Sequence, residues 1–484
     1  MNMATTSPAT MDVPWLFRKN NLQAMGVLTL VIAGSLWALS LDTRFVYMLV
    51  YVWFGLAYGA LLQYGRFCMA SAVRDLFAVK VPRMAVGVMI AVALYAVVAA
   101  IVSLAGFSTF HPNAMGWHIV IGAAIFGFGI VFTGGCASGS LYKAGEGNMN
   151  SMLVIVAISF SQAIVVSASG WWDALVPQSW LDTAAAQDMP AELTVTKGWF
   201  DIFTAGYIWG LKGTTMAEIL GMAETARGII LANTLLTAIL PVAIILVALY
   251  VLYYRKSYLR RSGKATPTLA DEFAGLWAMC TSSKNTAIAG IGLGILAGLH
   301  MYVTGALREH YGIFNFGELL VAMGYTNGLS IQDTVFDPGY WYITTQEAQW
   351  GGWIMQKLGI DSMDSIFFGL DNGLPNPLLN APGFMSIGII LGAAVMALSR
   401  REFKWKLPSW ETAFFAIVGG TLMGIGARLA MGCNIGAFFA TVTNGDPSGW
   451  VFLIGMTLGA WIGVKVFTWW MDWSTARKAG EFGL

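Results

Sequence analysis

Residues 424–436 read GIGARLAMGCNIG, and residues 127–139 read GFGIVFTGGCASG. When both stretches are aligned together with the residues just before them, six positions coincide without a gap at an offset of 297 residues. The shared residues are glycines and one cysteine: Gly122, Gly127, Gly129, Gly135, Cys136 and Gly139 in the first copy, and Gly419, Gly424, Gly426, Gly432, Cys433 and Gly436 in the second. Two matched clusters of this kind indicate an internal repeat with a site in each copy.

The composition is that of a membrane protein. Of the 484 residues, 57% are hydrophobic and 11% are charged, and the mean hydropathy is +0.65. Apolar runs of about 20 residues, long enough to cross a bilayer as helices, recur along the chain. They begin near Met25, Val46, Met84, Trp117, Met152, Gly228, Thr286, Phe384, Ala413 and Val451. We therefore expect an all-α integral membrane protein with about ten transmembrane helices.

The placement of basic residues predicts how these helices are oriented. Lys and Arg are dense at 253–264 and 400–406, which assigns both segments to the cytoplasmic side. The run from Met84 leaves a third basic cluster, at 74–83, whereas the run from Phe384 arrives at the one at 400–406, so the two repeats are predicted to be inverted. Inverted repeats are typical of transporters, which bind substrate near the membrane midplane where broken helices meet.

These patterns predict an organisation along the chain. Its parts are a cytoplasmic N-terminal segment at 1–24, a first membrane repeat at 25–170, an external segment at 171–225, connecting helices at 226–304 with a cytoplasmic loop at 253–283, a second external segment at 305–380, a second repeat at 381–471, and a cytoplasmic tail at 472–484. The first apolar run is long and lacks a small-residue cleavage site, so we interpret it as a membrane helix rather than a signal peptide.

The paired glycines have two interpretations. Those farther from the cysteines are typical of close helix packing through small residues: Gly122, Gly127, Gly419 and Gly424. Those flanking the cysteines predict a turn or re-entrant break: Gly135, Gly139, Gly432 and Gly436. A half-helix after such a break offers free N–H groups and a positive dipole end to an anion.

Polar residues beside the breaks are candidate ligands. A soft, polarizable thiol suits contact with another sulfur, so the matched Cys136 and Cys433 predict a sulfur-containing substrate. Asn434 adjoins the second cysteine and is a further candidate ligand. Arg428 would cost at least about 2.5 to 3.5 kcal/mol at the bilayer centre, so it must face the protein interior, a pore or an interface. Substrate steering and a structural hydrogen bond both remain open for its role.

Nothing in the cysteine spacing suggests a metal or disulfides. The four cysteines, at 68, 136, 280 and 433, contain no Cys-x-x-Cys pair. We expect no metal and no bound cofactor. The net charge of +1 says nothing about partners. We expect a small anion and the lipid bilayer as partners, and no nucleic acid.

Three longer motifs resemble the YeeE/YedE family of sulfur-transport membrane proteins. They are YGRFCMASAVRDLF at 64–77, GGCASGSLYKAGEGN at 134–148 and GIGARLAMGCNIGAFFATVTNGDPSGW at 424–450. The resemblance implies uptake of thiosulfate, or a related sulfur compound, through an hourglass-shaped helical protein in which cysteines relay the ion by S–H···S hydrogen bonds. It also implies a bacterial inner-membrane location and a rhodanese or small sulfur-carrier protein as cytoplasmic partner.

Carried over by motif, the relay cysteines are Cys68 in GRFC, Cys136 in GGC and Cys433 in GCN, with Arg66 as a further candidate. The family often has a cysteine early in its second half, but none precedes Phe384 in the segment SIFFGLDNGLPNP. Cys280, in GLWAMCTSSKN, lacks the Gly-Arg-Phe context, so both a relay role and a bystander thiol remain open.

Two rival functions use the same residues. A selenium- or sulfite-handling transporter would have identical features. A membrane oxidoreductase could exchange thiols or persulfides through the same cysteines. An enzyme would be expected to add a cofactor or quinone site and a resolving thiol, and the spacing indicates neither, so we favour a transporter that is not an enzyme.

Overall fold

The computed structural model describes residues 19–107, 116–166, 221, 225–263, 266–313, 319, 321–324, 343–360, 381–430, 432–443 and 445–481. The regular secondary structure of this part of the chain is helical, apart from an isolated β-bridge between Asn148 and Lys406. The statements below concern these residues.

The described helices are α1 (Lys19–Leu41), α2 (Val46–Gly65), α3 (Met69–Ala78), α4 (Arg83–Leu104), α5 (Trp117–Thr133), α6 (Ala137–Gly145), α7 (Met149–Val166), α8 (Ala226–Thr234), α9 (Leu240–Leu249), α10 (Arg255–Ser262), α11 (Leu269–Cys280), α12 (Lys284–Tyr311), α13 (Ile343–Lys357), α14 (Ala381–Ser399), α15 (Trp410–Leu429) and α16 (Ser448–Glu481). Three π-helical segments supplement them. Leu235–Ile239 and Tyr250–Tyr254 join α8, α9 and α10 end to end, and Asn434–Ala440 continues into a short turn at Thr441–Thr443.

The all-α membrane fold is confirmed. Within the described ranges, nine helical spans are long and apolar enough to cross a membrane. The shorter apolar helix α7 corresponds to the remaining predicted run, which was placed from Met152. Each predicted run therefore has a helix that begins close to its expected position.

Helices α5 and α15, which carry the matched glycines, cross each other antiparallel. A Cβ added to Gly426 would lie 2.5 Å from the carbonyl oxygen of Gly122, and one added to Gly129 would lie 2.7 Å from the carbonyl oxygen of Gly419. The sequence offset makes Gly122 equivalent to Gly419, and Gly129 equivalent to Gly426. The contact is therefore reciprocal, as a pseudo-two-fold axis between the two copies requires.

The same relation holds for the neighbours of these helices. Helix α16 runs parallel to α5, with Gly459 against the backbone of Ala124, while the equivalent α7 runs parallel to α15, with Gly424 against the Ser161 hydroxyl. Glycine at these positions is required by close packing, since any Cβ there would overlap the neighbouring helix.

The second repeat begins earlier in the chain than residue 381. Helix α14 packs parallel to α2, where Gly59 meets Ile389, and its equivalent α4 packs parallel to α12, where Gly294 meets Ala91. Helix α12 therefore corresponds to α2. In the same way α13, which contacts α14 and α7, corresponds to α3, which contacts α4 and α16. The composition of α12 gave no indication of this equivalence.

Part of the predicted external segment 305–380 is a buried helix of the bundle. Helix α13 packs on α7, and a Cβ on Gly351 would lie 2.4 Å from the Ser159 carbonyl oxygen. Thr344 and Glu347 are 2% and 0% exposed. This corrects the expectation of a loop for that stretch, because its polar composition reflects buried polar contacts rather than solvent. Most of the predicted external segment 171–225 lies outside the described residues.

The loop after α6 lies beside the basic segment 400–406. The backbone N–H of Lys404 donates to the Glu146 carbonyl at 3.1 Å, and that of Lys406 donates to the Gly147 carbonyl at 3.0 Å. Both loops must therefore lie at the same membrane face. The assignment of that face to the cytoplasm stays a prediction from the basic residues.

Candidate functional site

Three buried cysteines each precede the first residue of a short helix. Cys68 is the N-cap of α3, Cys136 the N-cap of α6, and Cys433 the N-cap of the π-helical segment that follows α15. Their exposed fractions are 2%, 1% and 1%. The backbone of Cys136 (φ −81°, ψ −177°) nearly matches that of Cys433 (φ −88°, ψ −179°). The repeat in the sequence is thus a repeat in local structure.

Both predicted helix interruptions are present. Helix α5 ends at Gly134, whose φ of +68° lies in the left-handed region that favours glycine. Gly135 follows it, with ordinary space around a Cβ. In the second copy Gly432 closes the turn by donating its N–H to the Ala427 carbonyl at 2.8 Å. The chain then restarts as a helix directly after each cysteine.

The first half-site, defined by Cys68, Cys136 and Lys143, contains a pair of thiols. The Cys68 and Cys136 sulfurs lie 3.9 Å apart, and the Cys136 sulfur lies 3.4 Å from the Ser138 hydroxyl. A Cβ on Gly139 would lie 2.8 Å from the Cys68 sulfur and 3.3 Å from the Cys136 sulfur. Glycine at this position therefore allows the two thiols to approach each other.

Each thiol lies at the positive end of a helix. The backbone N–H groups of Ser71, Gly139 and Gly436, each three residues after a cysteine, face the corresponding thiol. The Ile435 N–H also donates to the Cys433 sulfur at 3.4 Å. Unpaired N–H groups and the helix dipole together make such ends favourable for negative charge.

Asn434 connects the two half-sites. Its side-chain nitrogen donates to the Met69 sulfur at 2.9 Å, and these residues directly follow Cys433 and Cys68. The Asn434 side chain is fully buried, and its oxygen has no hydrogen-bond partner among the described residues. The predicted ligand therefore lies where residues of both repeats meet, with one acceptor atom available.

A cation accompanies each half-site. Lys143 of α6 donates to the Gly134 carbonyl and acts electrostatically on Cys68. Arg428, in the last turn of α15, is 1% exposed and donates to the Thr344 hydroxyl at 3.4 Å. It also acts electrostatically on Cys433. Arg428 thus faces the protein interior, as its cost in lipid required.

The second half-site is defined by Cys433, Thr344 and Arg428. The Thr344 hydroxyl is within hydrogen-bonding reach of the Cys433 thiol. Because α13 corresponds to α3, Thr344 lies beside Cys433 as Cys68 lies beside Cys136. A hydroxyl therefore occupies the place where the first half-site has a second thiol, which accounts for the cysteine missing from the second half of the sequence.

Sequence reasoning missed Lys143, Thr344 and Glu347. Lys143 follows Cys136 by seven residues within an otherwise apolar and small-residue stretch, and that was a usable signal. Thr344 and Glu347 lie in TTQEAQW, whose polarity resembled an external loop, and no local pattern marked them as buried.

Two predicted candidates lie apart from the buried thiols. Cys280 ends α11 and is partly exposed, and no hydrogen bond of the described residues joins it to the other cysteines. Arg66 caps α2 with a φ of +48°, its side chain is 69% exposed, and it pairs with Glu402 at 3.4 Å. In the described part of the chain, no three His, Cys, Asp or Glu side chains are grouped as metal ligands would be.

Inverted membrane repeats that meet at buried half-helix N-termini define a membrane transporter. Residues 64–462 match the family model described as Sulphur transport, which covers most of the chain, and the protein belongs to this family. The resemblance to YeeE/YedE proteins is therefore confirmed. Its assignment as a transporter rather than an enzyme has the same support.

Named relatives extend this comparison. The chain is 28% identical over 412 residues to the thiosulfate transporter TsuA of Spirochaeta thermophila, covering 84% of this chain and 95% of the relative. It is 27% identical over 414 residues to the TsuA of Escherichia coli K12, covering 84% and 92%. A shorter match, 32% identical over 127 residues, joins it to the probable transporter YedE of the same organism, covering 26% of this chain and 32% of the relative.

Proposed function

We propose that this protein takes up thiosulfate, or a closely related sulfur-containing anion, by passing it along the buried thiols of the two half-sites. The observation that carries the proposal is the matched pair Cys136 and Cys433. They come from opposite repeats, have the same backbone conformation and lie at the start of half-helices. The TsuA relatives, named as thiosulfate transporters, support the same substrate.

The proposed chemistry follows from the two ends of thiosulfate. A neutral thiol can donate S–H to the terminal sulfur of the anion. Backbone N–H groups at the half-helix starts can bind its oxygens, and each dipole end contributes about 0.3 to 1 kcal/mol. Lys143 and Arg428 offset the double negative charge. No covalent bond to the protein and no cofactor are needed.

The route between the half-sites passes Asn434. Its amide already connects the start of α3 to the segment after Cys433. Its unpartnered oxygen can accept a hydrogen bond from a thiol, and its N–H group can donate one to an anion. In this proposal Cys68, Gly135, Gly432 and Arg428 shape the path, while Gly139 and Gly436 supply N–H groups to the substrate.

We further propose a bacterial inner-membrane location, with a rhodanese or small sulfur-carrier protein receiving the substrate in the cytoplasm. The basic segments 253–264 and 400–406 support the orientation. Selenium- and sulfite-type anions remain alternative substrates, because the same thiols and N–H groups would bind them.

The test is uptake by proteoliposomes that contain the purified full-length chain. We expect counterflow of radiolabelled thiosulfate, with weaker exchange of sulfate, sulfite and selenite. Cys136→Ala and Cys433→Ala should each abolish uptake, while their elution in size-exclusion chromatography stays unchanged. Cys433→Ser should fail as well, since oxygen lacks the softness and reach of sulfur.

Cys280→Ala is the matched control, because it removes a thiol that lies apart from the half-sites. It should transport like the unaltered protein. Near-normal thiosulfate uptake by the Cys136→Ala, Cys433→Ala double variant would contradict the relay, and preferential exchange of selenite or sulfite would reassign the substrate.

A further inference from the structure

A buried carboxylate lies beside the second half-site and has no role in the anion relay. Glu347 is 0% exposed, and neither of its side-chain oxygens has a hydrogen-bond partner among the described residues. It follows Thr344 by three positions on α13, so both side chains lie on one face of that helix. Thr344 in turn contacts Arg428 and Cys433. Glu347 therefore belongs to the surroundings of the second thiol.

The ionisable groups around Glu347 are few. Arg428 of α15 and Cys433 act electrostatically on it. The packed helices α7 and α14 carry no ionisable side chain. Helix α6 contributes Tyr142 and Lys143, and Lys143 is bound to the Gly134 carbonyl.

On its own helix, the other charged side chain is Lys357, which lies at the far end over the Trp353 ring. Among the described residues, Arg428 is thus the principal positive charge available to Glu347. A buried carboxylate without hydrogen-bond partners among the described residues is costly as an anion, and its ionised form depends on that guanidinium.

We propose that Glu347 binds and releases a proton in each transport cycle, so that the protein carries a proton together with the sulfur anion. This inference rests on the proposed function. When a dianion reaches Cys433, it interacts with the same Arg428 guanidinium that otherwise stabilises the ionised Glu347. The substrate dianion and the Glu347 carboxylate would repel each other strongly beside one guanidinium in a buried site. The carboxylate therefore takes up a proton.

The cycle balances without any covalent change to the substrate. The proton comes from the side on which the anion binds, and it forms one O–H bond on Glu347. When the anion leaves on the other side, Arg428 again stabilises the ionised form of Glu347, and Glu347 releases the proton there. One proton and one dianion cross per cycle, no electrons move, and Glu347 is restored.

The experiment uses proteoliposomes in which valinomycin and equal potassium concentrations hold the membrane potential at zero. An external pH one unit below the internal pH should drive thiosulfate accumulation of up to about tenfold with one proton per anion. Addition of external thiosulfate should also acidify an internal pH-sensitive dye. Glu347→Gln should still exchange thiosulfate in counterflow, but it should lose both pH-driven accumulation and dye acidification.

Glu411→Gln, at the exposed first turn of α15, is the matched control and should behave like the unaltered protein. Net thiosulfate uptake by the unaltered protein without proton movement would overturn the inference, and so would proton movement that survives in Glu347→Gln. The measurement on the unaltered protein decides the coupling even if Glu347→Gln fails to fold. Absence of thiosulfate exchange in the unaltered protein would instead contradict the proposed function.

Discussion

The two half-sites share one backbone conformation but differ in the side chains beside the matched cysteine. In the first, the Cys68 and Cys136 thiols lie 3.9 Å apart. In the second, Cys433 has the Thr344 hydroxyl as its neighbour. The glycines at the α5–α15 crossing and the N-cap conformations are shared by both copies, whereas the side chains facing the site differ. Close packing therefore requires the same glycines in both copies, whereas the side chains that face the site can differ between them.

The positive charges show the same divergence. Lys143 lies after the first break and Arg428 before the second, and the equivalent positions are occupied by Ala440 and Val131. Each half therefore has one cation, and the two cations lie at different positions of the repeat. The second half also holds Glu347, so its net charge depends on whether that carboxyl is protonated. An anion would therefore meet a different potential in each half-site.

Among the variants that test this difference between the half-sites, Gly139→Ala is expected to have the largest effect on thiosulfate uptake. Alanine favours a helix over glycine by about 1 kcal/mol, so the helix itself should gain stability. The new Cβ would lie 2.8 Å from the Cys68 sulfur and force the two thiols apart. We expect thiosulfate uptake to fall at least about tenfold, which corresponds to about 1.4 kcal/mol of lost interaction. Uptake in proteoliposomes measures it.

Gly135→Ala is the control for this prediction. Its Cβ would find its nearest atoms at 3.5 Å, which is an ordinary contact. Uptake should fall less than in Gly139→Ala, because the two thiols keep their separation. Equal losses in both variants would show that the first break tolerates no side chain at all, and the specific role of the thiol pair would then be wrong.

A smaller effect is expected at Thr344, where the half-sites differ most directly. Thr344→Val keeps the shape but removes the hydroxyl that Arg428 and Cys433 contact. Loss of a hydrogen bond of about 0.5 to 1.5 kcal/mol should reduce uptake by about twofold to tenfold. Thr344→Cys should retain uptake, because it gives the second half-site the thiol pair of the first. A Thr344→Cys variant as impaired as Thr344→Val would contradict the equivalence.

Much of the fold could be predicted from the sequence because it follows from hydrophobic run length and repeated glycines. The six matched positions located both helix breaks, and the run lengths located the crossing helices. Gly122 and Gly426 could be found as matched residues, because close packing of the two helices requires glycine at these positions. The thiols Cys136 and Cys433 were found for the same reason, as they recur at one position of the repeat.

The rest of the site has no repeat to reveal it. Lys143 stands at a position that is apolar in the other copy, so alignment of the two halves hides it, whereas Arg428 was predicted from the cost of its charge in lipid. Thr344 replaces a thiol with a hydroxyl, and Glu347 lies in a polar stretch that only tertiary packing buries. Burial of a polar segment is decided by contacts between distant helices, which local composition does not record.

The smallest effect concerns Glu402, which joins the two halves at the face with the basic loops. Its carboxylate accepts from Gln63 of α2 at 2.7 Å and pairs with Arg66 and Arg400, each at 3.4 Å. Partial burial raises the pKa of Glu402, but the Gln63 hydrogen bond and the two arginines outweigh it, so the pKa falls below its ordinary 4.5. A lowered pKa means that the ionised carboxylate stabilises the folded state.

This stabilisation is fully present above the unfolded value of 4.5, and it is lost as the pH falls through the lower folded value. Partly exposed ion pairs contribute at most about 1 kcal/mol, so Glu402→Gln should lower the thermal midpoint in detergent only slightly at pH 7. The difference from the unaltered protein should shrink on acidification below pH 4.5, with the exposed Glu411→Gln as control. A difference that grew on acidification would mean that the carboxylate destabilises this face, and that Gln63 and Glu402 do not hold the two repeats together there.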